Sequence, residues 1–276
     1  MLTEIDATVL YSAVRLTVQY SEYGQRRPTR EVGTGFIVQQ GRGRSGARYL
    51  VTNRHVVDPD YDKLRRWKLE EVQVSGYFQH PRDRKGMPEW QEVTLLNPAP
   101  QWPSARHLDV AVLPLDGAEV QMEVNEGSGR FNTLPSSALA KVHDFVSGDI
   151  TVGRQVLMPG YPGFDKRAAH RPILVSGVIA TDPRYAAALG GEEYEDQVLC
   201  HAFSWEGMSG SPVLCMVPRP VAWDDWDHTG EMKLTPVLAG VNAGHHEIRA
   251  DATAGAITRF MRGDVLASLL AEMSTD

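Results

Sequence analysis

Gly207-Met208-Ser209-Gly210-Ser211-Pro212 sets one serine between glycines at 207 and 210. Glycine lets the chain turn sharply there and lets a carbonyl approach without a Cβ in the way. The same turn can aim the amide hydrogens of Gly207 and Ser209 into one spot, and such donors stabilise an oxyanion by about 3 kcal/mol each. A serine hydroxyl is inert at neutral pH unless an imidazole takes its proton, and the imidazole works best when a carboxylate fixes its tautomer. Both groups lie upstream. Thr52-Asn53-Arg54-His55-Val56-Val57 supplies the imidazole of His55, and Leu108-Asp109-Val110-Ala111-Val112 supplies the carboxylate of Asp109. An acid in so apolar a run needs a partner, because an unpaired buried charge is costly.

The chain order His55, Asp109, Ser209 differs from the orders used by α/β-hydrolases and subtilisins. Further segments add to it: Gly33-Thr34-Gly35-Phe36-Ile37-Val38 before the histidine, Gly160-Tyr161-Pro162-Gly163, and Gly240-Val241-Asn242-Ala243-Gly244 after the serine. Together these make the chain resemble the trypsin/chymotrypsin-fold serine peptidases, closest to the bacterial trypsin-like (Deg-type) peptidase domains, from about Val14 to the C-terminus. The resemblance implies an all-β fold of two antiparallel β-barrels with the active site between them, plus a C-terminal helix. It implies an N-terminal barrel over residues 1–125 carrying His55 and Asp109, a connector over 126–147, and a second barrel over 148–276 carrying Ser209. It makes His55 the general base, Asp109 its orienting acid and Ser209 the nucleophile, with Gly207 and Ser209 forming the oxyanion hole. Phe203, Ser204, Asn242, Ala243 and Gly244 are placed around the substrate pocket.

Two departures carry information. Zymogen-type relatives hold an aspartate immediately before the nucleophile; Met208 stands there, so activation by a clipped amino terminus is not expected. Phe203 occupies the place where trypsin keeps its pocket aspartate, so cleavage is expected after small or medium uncharged residues rather than after Arg or Lys. Glu206 lies nearer the pocket mouth. His245 and His246 are adjacent, and neighbours on a strand point to opposite faces, which argues against a shared metal.

The composition fits an ordinary globular protein: 276 residues, 42% hydrophobic and 23% charged, with net charge −7. That balance repels nucleic-acid backbones unless a local patch overrides it, and the basic runs near Arg26, Arg65 and Arg82 sit in turn-rich stretches. Met1 to Asp6 carries acids where a secretory signal would carry Lys or Arg, and no stretch is apolar enough to span a membrane, so a cytoplasmic location is expected. Cys200 and Cys215 are the only cysteines. A bridge between them would stabilise the chain by about 3 kcal/mol, but reduced, buried thiols are the favoured reading. No cofactor or metal is expected. The expected partners are a protein or peptide substrate and a separately encoded regulatory protein, not nucleic acid or membrane.

Alternation and β-branched content predict strands at Val14–Val18, a hairpin of Gly35–Val38 with Tyr49–Thr52, and a pair at Glu71–Phe78 and Trp90–Leu95. Asp109–Leu115 closes the first half, after one helical turn begun within Asp6–Ala13. Later strands are expected at Gln155–Met158, Ile173–Ile179, Gln197–Phe203, Pro212–Met216 and Thr235–Val241, with Val217–Lys233 an inserted loop. From Asp264, a potential cap, Val265, Leu266, Leu269, Leu270 and Met273 form one apolar helical face. Two rival functions use the same residues: a peptidase fold that binds a peptide without cutting it, and an esterase or acyltransferase.

Overall fold

The computed structural model describes residues 7–22, 28–41, 46–59, 61, 67–79, 87–116, 120–121, 130–163, 171–189, 191–220, 232–245 and 257–273. The first half contains a helical turn α1 (Ala7–Leu10), then strands β1 (Ala13–Glu22), β2 (Thr29–Gln40) and β3 (Ala47–Thr52). A second helical turn, α2 (Arg54–Val57), carries His55. It is followed by β4 (Trp67–Phe78), β5 (Glu89–Leu96), β6 (Ala111–Pro114), β7 (Val120–Gln121) and β8 (Thr133–Pro135). The second half holds α3 (Val142–Val146), β9 (Gln155–Gly160), β10 (Ile173–Ile179), β11 (Ala187–Leu189) and β12 (Glu192–Tyr194). It ends with β13 (Gln197–His201), β14 (Pro212–Pro220), β15 (Met232–His245), β16 (Ile257–Arg262) and α4 (Gly263–Met273).

The strands from β9 to β16, without β11 and β12, close into a six-stranded barrel in the order β10-β13-β16-β15-β14-β9. The first half is an eight-stranded sheet, β6-β3-β2-β1-β4-β5-β7 with β8 on β2, and its path does not close among the described residues. Among the described residues the expected first barrel is seen as this continuous paired sheet. The expected connector over 126–147 contains β8, which pairs in parallel with β2 from Ile37 to Gln39, and α3.

Strand alternation explains the cores. Along β1, Val14, Leu16, Val18 and Tyr20 point inward and meet Ile37, Leu50, Val72 and Val74. The barrel is filled by Val156, Met158, Val198, Cys200, Val213, Cys215 and Phe260. Both cysteines are free and buried in this core, where desolvation pushes their thiols well up, Cys215 to about 12, so both stay protonated. A third cluster joins the halves: Phe36, Val38, Val51 and Val112 from the sheet meet Leu157, Leu214, Leu238 and Val241 from the barrel. Leu266, Leu269 and Leu270 of α4 seal it, as their spacing predicts. Asp264 lies inside the first turn of α4, where its carboxylate pairs with Arg262 at 2.6 Å.

The two ends of the region read as an inserted loop are strand. The β14–β15 ladder continues past Met216 through Val217↔Thr235 and Arg219↔Lys233 to Pro220↔Met232; residues 221–231 lie outside the described set. Pro218 and Pro220 cost no ladder bond to a strand on the other side among the described residues. β14 pairs with β9 only at Leu214 and Cys215, so its far end is an edge, where proline is tolerated.

Candidate active site

His55 sits in α2, directly after β3 delivers the chain to the rim of the sheet. Its Nδ1 donates to Asp109 Oδ2 at 2.7 Å, and its backbone N–H donates to Asp109 Oδ1 at 3.0 Å. One carboxylate thus holds both the imidazole and the turn that carries it. Asn53 explains its place in the motif: fully buried, its Nδ2 donates to the Asp109 carbonyl at 2.7 Å and fixes the backbone of the acid. Tyr20 reaches in from β1 and donates to the Val56 carbonyl. Arg54 flanks the histidine, pairing with Asp58 at 3.3 Å and lying over the rings of Tyr61 and Trp102.

The imidazole is 39% exposed while the Asp109 side chain is only 9% exposed, so the base faces outward from a buried acid. Burial alone would lower the pKa of His55; the charge of Asp109 and its hydrogen bond outweigh this and leave it above the ordinary imidazole value. Glu31 adds to the rise and Arg259 opposes it. Burial likewise pushes Asp109 up, but the His55 charge, its two hydrogen bonds and Arg259 together hold the carboxyl below its usual range. A base must be neutral to work. Any activity that uses His55 as base should therefore fall on acidification through a midpoint above the reference value of about 6.5, read as the acid limb of kcat/KM against pH.

Ser209 is held by a turn whose two positive-φ glycines, Gly207 (φ 86°) and Gly210 (φ 88°), are also tightly packed. A Cβ on Gly210 would lie 2.0 Å from the Thr34 carbonyl oxygen, and one on Gly207 would lie 2.7 Å from that of Tyr161. The carbonyls of this turn are fixed one by one. Glu206 O accepts from Gly163 N–H at 2.7 Å, and Met208 O accepts from Ser211 N–H at 3.1 Å and from Asn242 Nδ2 at 2.8 Å. In a trans peptide the C=O and the following N–H point opposite ways. The Gly207 and Ser209 amides are thereby turned away from these partners, and neither donates to a group among the described residues. Two oriented, unengaged donors therefore flank Met208. Ser209 Oγ itself forms no hydrogen bond with His55; such contacts are often loose before substrate binds and tighten in the complex.

Thr34 joins the two halves at this turn. Its Oγ1 donates to the Gly207 carbonyl at 2.7 Å and accepts from Tyr161 N–H at 3.0 Å, while its backbone N–H donates to Ser209 O at 2.9 Å. Thr52 Oγ1 donates to the Thr34 carbonyl at 2.8 Å. This gives the Gly33-Thr34-Gly35 stretch its meaning, since a Cβ on Gly33 would lie 2.8 Å from Val56 Cγ1. Thr34→Val keeps the shape but strands two buried polar groups, each costing about 1–3 kcal/mol. It should lower the unfolding free energy by a few kcal/mol in denaturant titration, with no change in the m-value.

The five residues placed around the substrate pocket differ in burial and orientation. Asn242 is fully buried and turned into the nucleophile loop, where it also donates to Ser204 Oγ at 3.2 Å. Ser204 and Ala243 are buried at 8% and 5% exposure. Gly244 lies beside the serine, its Cβ position 3.7 Å from Ser209 Oγ. Phe203, placed around the pocket by the resemblance, is 62% exposed and stacks on Trp205 with ring centroids 6.1 Å apart. The strand β13 ends at His201, so Phe203 lies beyond it. Ser211 is fully buried, while His245 is exposed and His246 lies outside the described residues. Thr34, Asn53 and Gly163 were not singled out as functional from sequence; only their recurrence in short glycine-rich or histidine-flanking motifs marked them.

A model of the trypsin-like peptidase domain matches residues 33–217, most of the chain, and the chain belongs to that family. Its fold is that of the trypsin-like peptidases. Among solved structures it is similar to Deg5, at 18% identity over 96% of this chain and 89% of that one, with a TM-score of 0.47. It is also similar to the inactive serine-to-alanine mutant of Rv3671c from M. tuberculosis H37Rv, at 16% identity over 99% and 92% of the two chains, with the same TM-score of 0.47. No curated protein sequence matches it. Among the described residues no helix is long and apolar enough to cross a membrane.

Proposed function

We propose that this member of the trypsin-like peptidase family is a serine endopeptidase working through an acyl-enzyme. The reading is carried by the doubly bonded His55–Asp109 pair together with a serine turn, tied by Thr34 to the same sheet, whose Gly207 and Ser209 amides donate to no group among the described residues. Ser209 Oγ attacks the peptide carbonyl as His55 takes its proton, and Asp109 holds the imidazole in the Nδ1–H tautomer and stabilises the imidazolium. The Gly207 and Ser209 amides receive the oxyanion. His55 returns the proton to the leaving amine, and water repeats the sequence to release the acid. An esterase would use the same groups, and no feature of the site favours it.

Ser209→Ala tests this. The variant should keep the native fold by circular dichroism and lose peptide hydrolysis by several orders of magnitude. Full turnover in the folded variant would refute the proposal, and a native chain that binds peptides without cleaving any would support the binding-module reading.

A further inference from the structure

A cavity of about 390 Å³ lies beside the catalytic pair, and Asp109 and Arg259 both line it. Arg259 comes from β16, where it pairs with Leu199 of β13. Its neighbours Thr258 and Phe260 are fully buried, so strand alternation turns Arg259 to the opposite face, toward the cavity. Its guanidinium lies 5.2 Å from the centroid of the Tyr194 ring. Its Nε is buried without a hydrogen-bond partner, so the side chain is packed into the wall and not extended into solvent. It is the only Lys or Arg among the lining residues.

An imidazole acting as base must be neutral, and Asp109 then holds a buried charge that its partner does not cancel. A guanidinium in direct contact would cancel it, but would also chelate the two carboxylate oxygens that hold His55. Arg259 forms no ion pair among the described residues, so it faces the acid without touching it. The other charges near the pair are arranged otherwise. Glu31 of β2 acts on His55 in the opposite sense, Arg54 and Asp58 pair with each other, and the Tyr20 hydroxyl is given to the Val56 carbonyl. Within the cavity Glu193 and Glu195 oppose Arg259, but both are exposed and screened by solvent, and the remaining titratable groups are His107, Tyr61 and Tyr194.

We propose that Arg259 is a positioning residue of the catalytic pair: its fixed charge stabilises the Asp109 carboxylate across the cavity while His55 is neutral, and the Tyr194 ring holds it too far away to displace the imidazole. The proposal rests on the peptidase reading only in calling the pair catalytic. Its charge acts in the required direction on both members, holding Asp109 down and opposing the rise of His55.

The test is an NMR titration of the His55 ring in the full chain, its signal assigned by its loss in His55→Gln. Arg259→Met keeps an aliphatic stem against Tyr194 and removes the charge; Arg259→Gln takes its place if the methionine variant does not fold. Without the cation the imidazole gains its proton more easily, so the midpoint should rise by about half a unit. Arg259→Lys should restore it. A midpoint that stays put or falls in the folded neutral variant, or that lysine fails to restore, would overturn the proposal. In peptide cleavage the acid limb of kcat/KM should move upward by the same amount, whereas a merely structural role would lower kcat/KM at every pH without displacing the limb. Should the chain cleave no peptide, the peptidase reading fails and the titration still decides the role of Arg259.

Discussion

Asp109→Asn should lower kcat by about 10⁴-fold while the chain stays folded. The carboxylate accepts from both Nδ1 and the backbone of His55, which forces the proton onto Nδ1 and leaves Nε2 as the free base. An asparagine amide can present its NH₂ to the ring nitrogen, which selects the opposite tautomer and removes the base from the serine. The Asn53 bond to the residue-109 carbonyl survives the substitution, so the backbone should hold. Single-turnover kinetics with a chromogenic peptide should place the loss in acylation. A decrease below tenfold would mean that His55 does not depend on Asp109.

Gly207→Ala should cost 10²–10³-fold in kcat, the size of one lost oxyanion donor. Its φ of 86° suits glycine, and the added Cβ would meet the Tyr161 carbonyl oxygen at 2.7 Å and Gly163 N at 2.8 Å. The clash falls on the Glu206–Gly163 hydrogen bond that orients the Gly207 amide, so the turn must rotate to relieve it. KM for a short peptide should change much less than kcat, because the donor acts mainly on the transition state. Equal losses in binding and turnover would instead place Gly207 in ground-state substrate contact.

What could be read from the chain was whatever short motifs and period-two alternation encode. His55, Asp109 and Ser209 stand in compact motifs with restricted residue choices, and the β2–β3 and β4–β5 pairs alternate plainly. Less legible were roles that exist only across distance. Thr34 bonds to Gly207, 173 residues later, and nothing near it in sequence announces that contact. Asn242 belonged to the right segment, but the direction of its side chain depends on the Met208 carbonyl it satisfies. The strand β16 was missed because its buried positions, Thr258, Phe260 and Met261, mix a polar residue with a break in strict alternation. Thr258 is at home there only because its Oγ1 donates to the Ala202 carbonyl at 2.8 Å. Phe203 was placed by its match to a pocket position, which says nothing of the 62% exposure its ring has here.

The central claim is that the environment of Ser209 makes it a nucleophile, and covalent capture tests it most directly. The native chain would be treated with a fluorophosphonate at neutral pH, digested, and the adduct located by mass spectrometry. A single adduct on Ser209, absent when the reaction is run at a pH low enough to keep His55 protonated and absent in Asp109→Asn on the same timescale, is the predicted result. A folded chain whose Ser209 stays unmodified, or labels no faster than surface serines, would contradict the account.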